Sequence, residues 1–104
     1  MIPETVWIRF ENSSSSPDQV KTEGCSTISD LASNVQMHFS PDLDQISVDR
    51  IVLLKPKDME EISKSTTLAK YYRSAKAAGL SAAEPLVLRV LPGMFINYNI
   101  YLFL

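Results

Sequence analysis

The alternating run Leu86-Val87-Leu88-Arg89-Val90-Leu91, closed by Pro92-Gly93, limits the folds open to this chain more than any other stretch. It has the period of a strand, with Leu86, Leu88 and Val90 on one face and Val87, Arg89 and Leu91 on the other. It comes late in the sequence, so its hydrogen-bonding partners have to be strands made earlier. The lead-in from Thr66 holds a capped turn at Thr67-Leu68, with Tyr71 a short distance on. Everything upstream is then read as building the sheet and helix that receive this strand.

Thr5–Phe10 supplies the first partner. Val6, Ile8 and Phe10 alternate with Trp7 and Arg9, the pattern of a half-buried strand. Trp7 falls on the less buried face, either as a ring covering a sheet edge or as a binding anchor. Asn12–Asp18 is a turn cluster. Its Asn12-Ser13-Ser14 also matches a glycosylation acceptor, which would matter only in a secretory pathway. Gln19–Glu23, centred on Val20, reads as a short polar strand of the kind an edge tolerates.

Thr27 opens the main helix. Threonine is a good N-cap, and Asp30 stands where a capping box places its acid. Ile28, Leu31, Ala32, Val35 and Phe39 recur at helical spacing on one face, with Ser29, Ser33, Asn34 and Gln36 opposite. Ser40-Pro41-Asp42 ends it, because Pro41 disfavours helical geometry at Ser40. His38 reads as a residue that packs or caps at the helix end. Leu43–Val48 connects to a third strand, Arg50–Leu54, with Ile51 and Leu53 on one side and Arg50, Val52 and Leu54 on the other. Pro56 stops the ladder, and Glu61-Ile62 offers a brief return strand. Leu68–Ala78 reads as a short helical segment carrying Leu68, Tyr71, Tyr72 and Ala75, capped by Gly79.

The order is strand, strand, helix, strand, short strand, short helix, strand. That order describes an α+β domain of the β-grasp arrangement, a mixed sheet with one main helix packed across one face and the other face open.

Chemistry is sparse. The single cysteine, Cys25, and single histidine, His38, fall short of the four ligands of a structural zinc site. Paired as nucleophile and base they would make a small cysteine enzyme, but no further residue supports that pairing, and a partly buried thiol is the plainer reading. No enzyme activity, metal, cofactor or small-molecule substrate is expected. The net charge is −2, and the ten lysines and arginines are scattered among acids, so no nucleic acid partner is expected. MIPETVWIRF lacks the basic start, apolar run and cleavage site of a signal peptide. No apolar run approaches the roughly 20 residues of a membrane span.

Two resemblances rest on particular segments. Arg50-Ile51-Val52-Leu53, Thr67-Leu68 with Tyr71, and Leu86-Val87-Leu88-Arg89 resemble the ubiquitin family, whose matching segments read RLIF, TLSDY and LVLRLRGG. The helix opening Thr27-Ile28 is similar to that family's TIENV start. The resemblance implies a ubiquitin-like β-grasp domain over residues 4–92. It also implies a protein-binding patch on the open sheet face, with Val52 and Val87 as an apolar centre flanked by Arg50 and Arg89. Singly exposed valines would need no such explanation. Pro92 stands where the family has glycine and further residues follow it, which argues against conjugation to other proteins.

The second is narrower. Val48–Asp58, reading VDRIVLLKPKD, is similar to the central strand of Crinkler effector N-terminal domains, where oomycete members read near DELQLFLAKKD and fungal members near LWKPKD. A strict LFLAK does not occur here. This resemblance implies a non-enzymatic domain at the head of a secreted, host-directed protein, acting in delivery and protein contact, with a separate C-terminal domain that acts. The alternative is a cytoplasmic ubiquitin-like adaptor binding partners through its open sheet face. Residues 93–104 form an apolar tail, with MFINYNIYLFL from Met94 onward. It reads as an added strand, a partner-binding strand or a translated non-coding remnant, of which the last is favoured because the stretch carries no charge.

Overall fold

The computed structural model describes residues 2–11, 16–74 and 76–92. The Asn12-Ser13-Ser14 acceptor, Ala75, Gly93 and the segment 94–104 lie outside them. Within them the chain is a small α+β domain. Its elements are strand β1 (Thr5–Phe10), strand β2 (Asp18–Lys21), helix α1 (Ile28–His38), a 3-10 turn (Val48–Arg50), strand β3 (Ile51–Leu54), helix α2 (Leu68–Tyr71) and strand β4 (Leu86–Val90).

The four strands form one mixed sheet in the order β2-β1-β4-β3. The late strand enters between two earlier ones. It runs parallel to β1, with Ile8 opposite Leu86 and Phe10 opposite Leu88. It runs antiparallel to β3, with Leu53 opposite Leu88 and Leu54 opposite Val87. The β1–β2 pair is antiparallel, with Val6 opposite Val20. This register puts Val6, Ile8, Val20, Ile51, Leu53, Leu86 and Leu88 into one core with the helix residues Ile28, Leu31, Ala32 and Val35. Phe39, the last residue of the expected stripe, is the C-cap and is partly buried. Its ring meets Phe10 edge-on at 4.9 Å.

The start of α1 follows the sequence closely. Thr27 accepts from the Asp30 amide, and the Asp30 carboxylate accepts from the Thr27 amide, so the capping box is complete. Backbone amides, those of Ser26 and Thr27, hold the Asp30 carboxyl below the usual carboxylate range. Two further amides at this end find partners in a later segment: Ile28 donates to Thr66 at 2.9 Å and Ser29 to Lys64 at 3.1 Å. In return the Leu68 amide, first in α2, donates to Ser26 at 2.9 Å. The two helix starts thus satisfy one another's orphan donors through a bridge between Thr27 and Thr67.

Three features differ from the sequence reading. The segment Leu68–Ala78 is not one helix; α2 is a single turn ending at Tyr71. The Ala78 amide, which a continued helix would give to the carbonyl four residues back, donates instead to the Tyr71 hydroxyl at 2.9 Å. The Tyr72 hydroxyl donates to the Ala78 carbonyl at 3.0 Å. The two rings, 4.8 Å apart and nearly perpendicular, hold that peptide against the core. Burial pushes both phenols above their ordinary pKa, so they stay neutral hydrogen-bonding groups. Gly79 caps no helix. It has φ of +91°, a Cβ there would lie 2.9 Å from the Tyr72 hydroxyl, and its carbonyl accepts the Trp7 amide at 2.8 Å.

The second difference lies on the polar side of α1. Asn34 donates to the carbonyls of Lys21 and Glu23, and Gln36 to those of Leu43 and Ile46. These two amides fasten the flanking loops to the helix. Asn34 thereby occupies an outward carbonyl of edge strand β2, and Asp18 accepts the Gln19 amide at 2.9 Å. That leaves less edge open to pairing with another chain. The third concerns Glu61-Ile62, which reduces to one bridge between Leu54 and Glu61, with the Ile62 amide on the Leu53 carbonyl at 2.9 Å.

His38 closes the far end of α1. Its Nε2 lies 2.9 Å from Asp18 Oδ2, tying the helix end to β2. This contact, with the Gln19 amide, holds the Asp18 carboxyl below its ordinary range. A depressed folded-state pKa contributes stability that is present above the ordinary carboxylate range and is lost as pH falls through the folded value. In His38→Ala, a carbon-detected NMR titration is expected to show the Asp18 carboxyl titrating at higher pH than in the parent chain. An unchanged titration would mean the contact carries no weight.

Candidate protein-binding surface

The sheet face turned away from α1 is defined by register. Arg9 stands opposite Val87, Val87 opposite Leu54, and Val52 opposite Arg89. Trp7 stands opposite Gln19, and Thr5 opposite Lys21. All of these side chains share the outer face, because side chains alternate along a strand.

The expected apolar centre of this face is buried. Val52 is 3% exposed and Val87 0%. With Leu54 they form a second small cluster, and Met59 packs against it. The cause is the turn after β3. Pro56 ends the ladder, and the Met59 amide donates to Lys55 at 2.8 Å while the Lys55 amide donates to Glu60 at 2.9 Å. Met59 adopts φ of 57°, and this reversal carries its side chain back over the strand. A single apolar residue within the charged run Lys55–Glu61 was the available signal. β3 is consequently buried on both faces, where the sequence reading left its outer face open.

The two flanking arginines are engaged. Arg50 Nε donates to the Leu91 carbonyl at 2.8 Å, and the Leu91 amide returns a bond to the Arg50 carbonyl. Arg89 makes a two-pronged contact with Glu11, with Nε 2.7 Å from Oε1 and Nη2 on Oε2. Arg89, with Arg9 nearby, holds the Glu11 carboxyl below its ordinary range. Glu11 escaped the sequence reading because it follows the strand and breaks no periodicity.

What this face does present are Trp7 and Arg9, both half-buried, and Gln19 and Lys21, both exposed. Gln19 Nε2 donates to Thr5 Oγ1 at 3.1 Å. Arg9 Nη1 reaches the neighbouring Phe10 carbonyl at 3.2 Å and has no carboxylate within ion-pair distance among the described residues. Trp7 and Arg9 thus form a short aromatic and cationic strip beside the buried cluster.

No catalytic arrangement connects Cys25 to His38. They lie at opposite ends of α1, whose residues 28–38 rise about 15 Å at 1.5 Å per residue. His38 is spent on Asp18, and burial pushes the Cys25 thiol above its ordinary pKa, away from the reactive thiolate. Among the described residues no cluster of histidine, cysteine or carboxylate side chains is arranged to hold a metal ion. No helix among them is long and apolar enough to cross a membrane. A cleft of about 770 Å³ lies between the Lys55–Ser63 turn and the segment after α2. Its rim carries Lys55, Lys57, Lys70 and Lys76 together with Asp58, Glu60, Glu61 and Glu84.

No protein-family model, curated protein or solved structure matches this chain.

The burial of the valines has a measurable consequence. Val52→Asp and Val87→Asp are each expected to lower folding stability by about 3 kcal/mol or more, because an unpaired carboxylate would enter the small cluster. Urea denaturation of the two variants checks this; stability within about 0.5 kcal/mol of the parent, as for ordinary surface substitutions, would contradict it.

Proposed function

We propose that the chain is a ubiquitin-like β-grasp module that acts by protein contact, as the leading domain of a Crinkler-type secreted, host-directed effector. The observation that carries this reading is the meeting in space of the segments that carry the resemblance. Ile51–Leu54 pairs residue by residue with Val87–Val90, and Thr67, the N-cap of α2, bridges to Thr27, the N-cap of α1. A parallel β1–β4 centre, an antiparallel edge on each side and a helix across one face are the features a β-grasp requires.

The contact surface in this reading is the outer sheet face. Its working part is displaced from Val52 and Val87 toward β1, where Trp7 and Arg9 are accessible. Arg50 and Arg89 hold the rim through Leu91 and Glu11. Aromatic and arginine side chains are the residue types that most often anchor protein interfaces. Delivery across a host boundary is assigned to the module through its VDRIVLLKPKD segment, which forms the 3-10 turn, β3 and the turn that seats Met59.

The test is a fusion of the whole chain ahead of a fluorescent cargo, expressed with a heterologous secretion signal in a filamentous pathogen growing on host tissue. Cargo is expected inside host cells. A secreted, folded fusion whose cargo stays outside them would overturn the delivery reading.

A further inference from the structure

Resting on the reading of the outer sheet face as a contact surface, we infer that its partner is an extended acidic segment of another protein, bound across Trp7 and Arg9.

The inference comes from how charge is distributed. The chain as a whole carries −2. The outer sheet face carries three cations by register, Arg9, Lys21 and Arg89, with the bridge residue Glu61 on the same face, Glu11 bound to Arg89, and Glu4 and Glu23 lining the shallow cleft at its Lys21 end. Glu11 is held by Arg89 in a two-pronged bond with Arg9 also acting on its carboxyl, and Glu61 acts on Arg89. That leaves Arg9 and Lys21 without a carboxylate within ion-pair distance among the described residues. They flank Trp7 along the sheet, with Lys21 opposite Thr5 and Arg9 two residues beyond Trp7. Cations on both sides of one accessible indole suit carboxylates spaced along an extended chain, with an apolar side chain between them on the ring.

A nucleic acid strand would also meet cations and a stacking ring. The net negative charge of the domain and the small number of unpaired cations on this face make it the poorer partner, since nucleic acid affinity is built on many phosphate contacts. An added β-strand is likewise disfavoured at the β2 edge, where Asn34 and Asp18 already occupy outward backbone groups. Recognition therefore falls to side chains on the face.

Trp7 is the only tryptophan, so its emission reports directly on this face. The full chain is titrated with a twelve-residue peptide alternating glutamate and leucine. The comparison probes are the lysine–leucine peptide of the same length and a single-stranded oligonucleotide. Saturable change in Trp7 emission is expected with the acidic peptide alone, and its Kd should rise about tenfold or more between 50 mM and 500 mM salt as the charges are screened. Arg9→Gln and Lys21→Glu should each weaken binding at least fivefold, Lys21→Glu with an unchanged thermal midpoint, while Arg73→Glu, on the turn after α2, should leave it alone. No emission change at millimolar peptide, equal binding of the lysine peptide, or preference for the oligonucleotide would each overturn the inference. The delivery reading is scored separately by cargo uptake. Uptake without acidic-peptide binding counts against the present inference alone, and binding without uptake counts against delivery alone.

Discussion

The parallel contact between β1 and β4 is the constraint on which the rest of the structure depends. A strand placed between two others gives its amides and carbonyls to neighbours on both sides, whereas an edge strand spends only half of them. β4, like β1, is such a strand, and its Leu86, Val87 and Leu88 are almost wholly buried. Its entry joins the β1–β2 hairpin to β3, so one sheet exists where two fragments would otherwise stand. Helix α1 has a continuous apolar floor only after that joining, because its stripe shares one core with residues from all four strands. The chain must therefore reach Leu86 before its core can close, and the exchange between the two helix starts helps hold the intervening segment in place.

Burial on the outer face follows from the same placement. A central strand brings an apolar side chain on each face, and Val87 needs cover on the side that lacks a helix. Val52, Leu54 and Met59 supply it. The Glu11–Arg89 contact closes the neighbouring positions, with hydrogen bonds that satisfy both charged groups at a part-buried site. The accessible part of this face consequently lies toward β1, where Trp7, Arg9 and Lys21 stand.

Much of the architecture could be read from residue types. β1, α1, β3 and β4 all carry strong periodicity, and the Thr27–Asp30 capping box fixed where the helix begins. What escaped were arrangements that leave no periodic trace. The chain leaves α2 after one turn, and the Tyr71 and Tyr72 hydroxyls bond the amide and the carbonyl of Ala78, side-chain contacts that the alanines of that segment do not foretell. Spacing sets Asn34 and Gln36 opposite the apolar stripe but cannot show their bonds to distant carbonyls. The candidate site suffered most. An exposed patch was expected at Val52 and Val87 because the resemblance to the ubiquitin family implies a recognition surface at those strand positions. Alternation cannot say that Met59 will fold back over them, nor that Glu11 will take up Arg89.

The central claim is that β4 is the interior strand that closes the domain, and native-state amide hydrogen exchange tests it most directly. The amides of Leu86, Val87 and Leu88, with that of Ile8, should be the slowest in the chain and should exchange only through global unfolding, while Gln19 and Lys21 on the edge exchange faster. Amides of Leu86–Leu88 exchanging as fast as those edge amides would contradict the account.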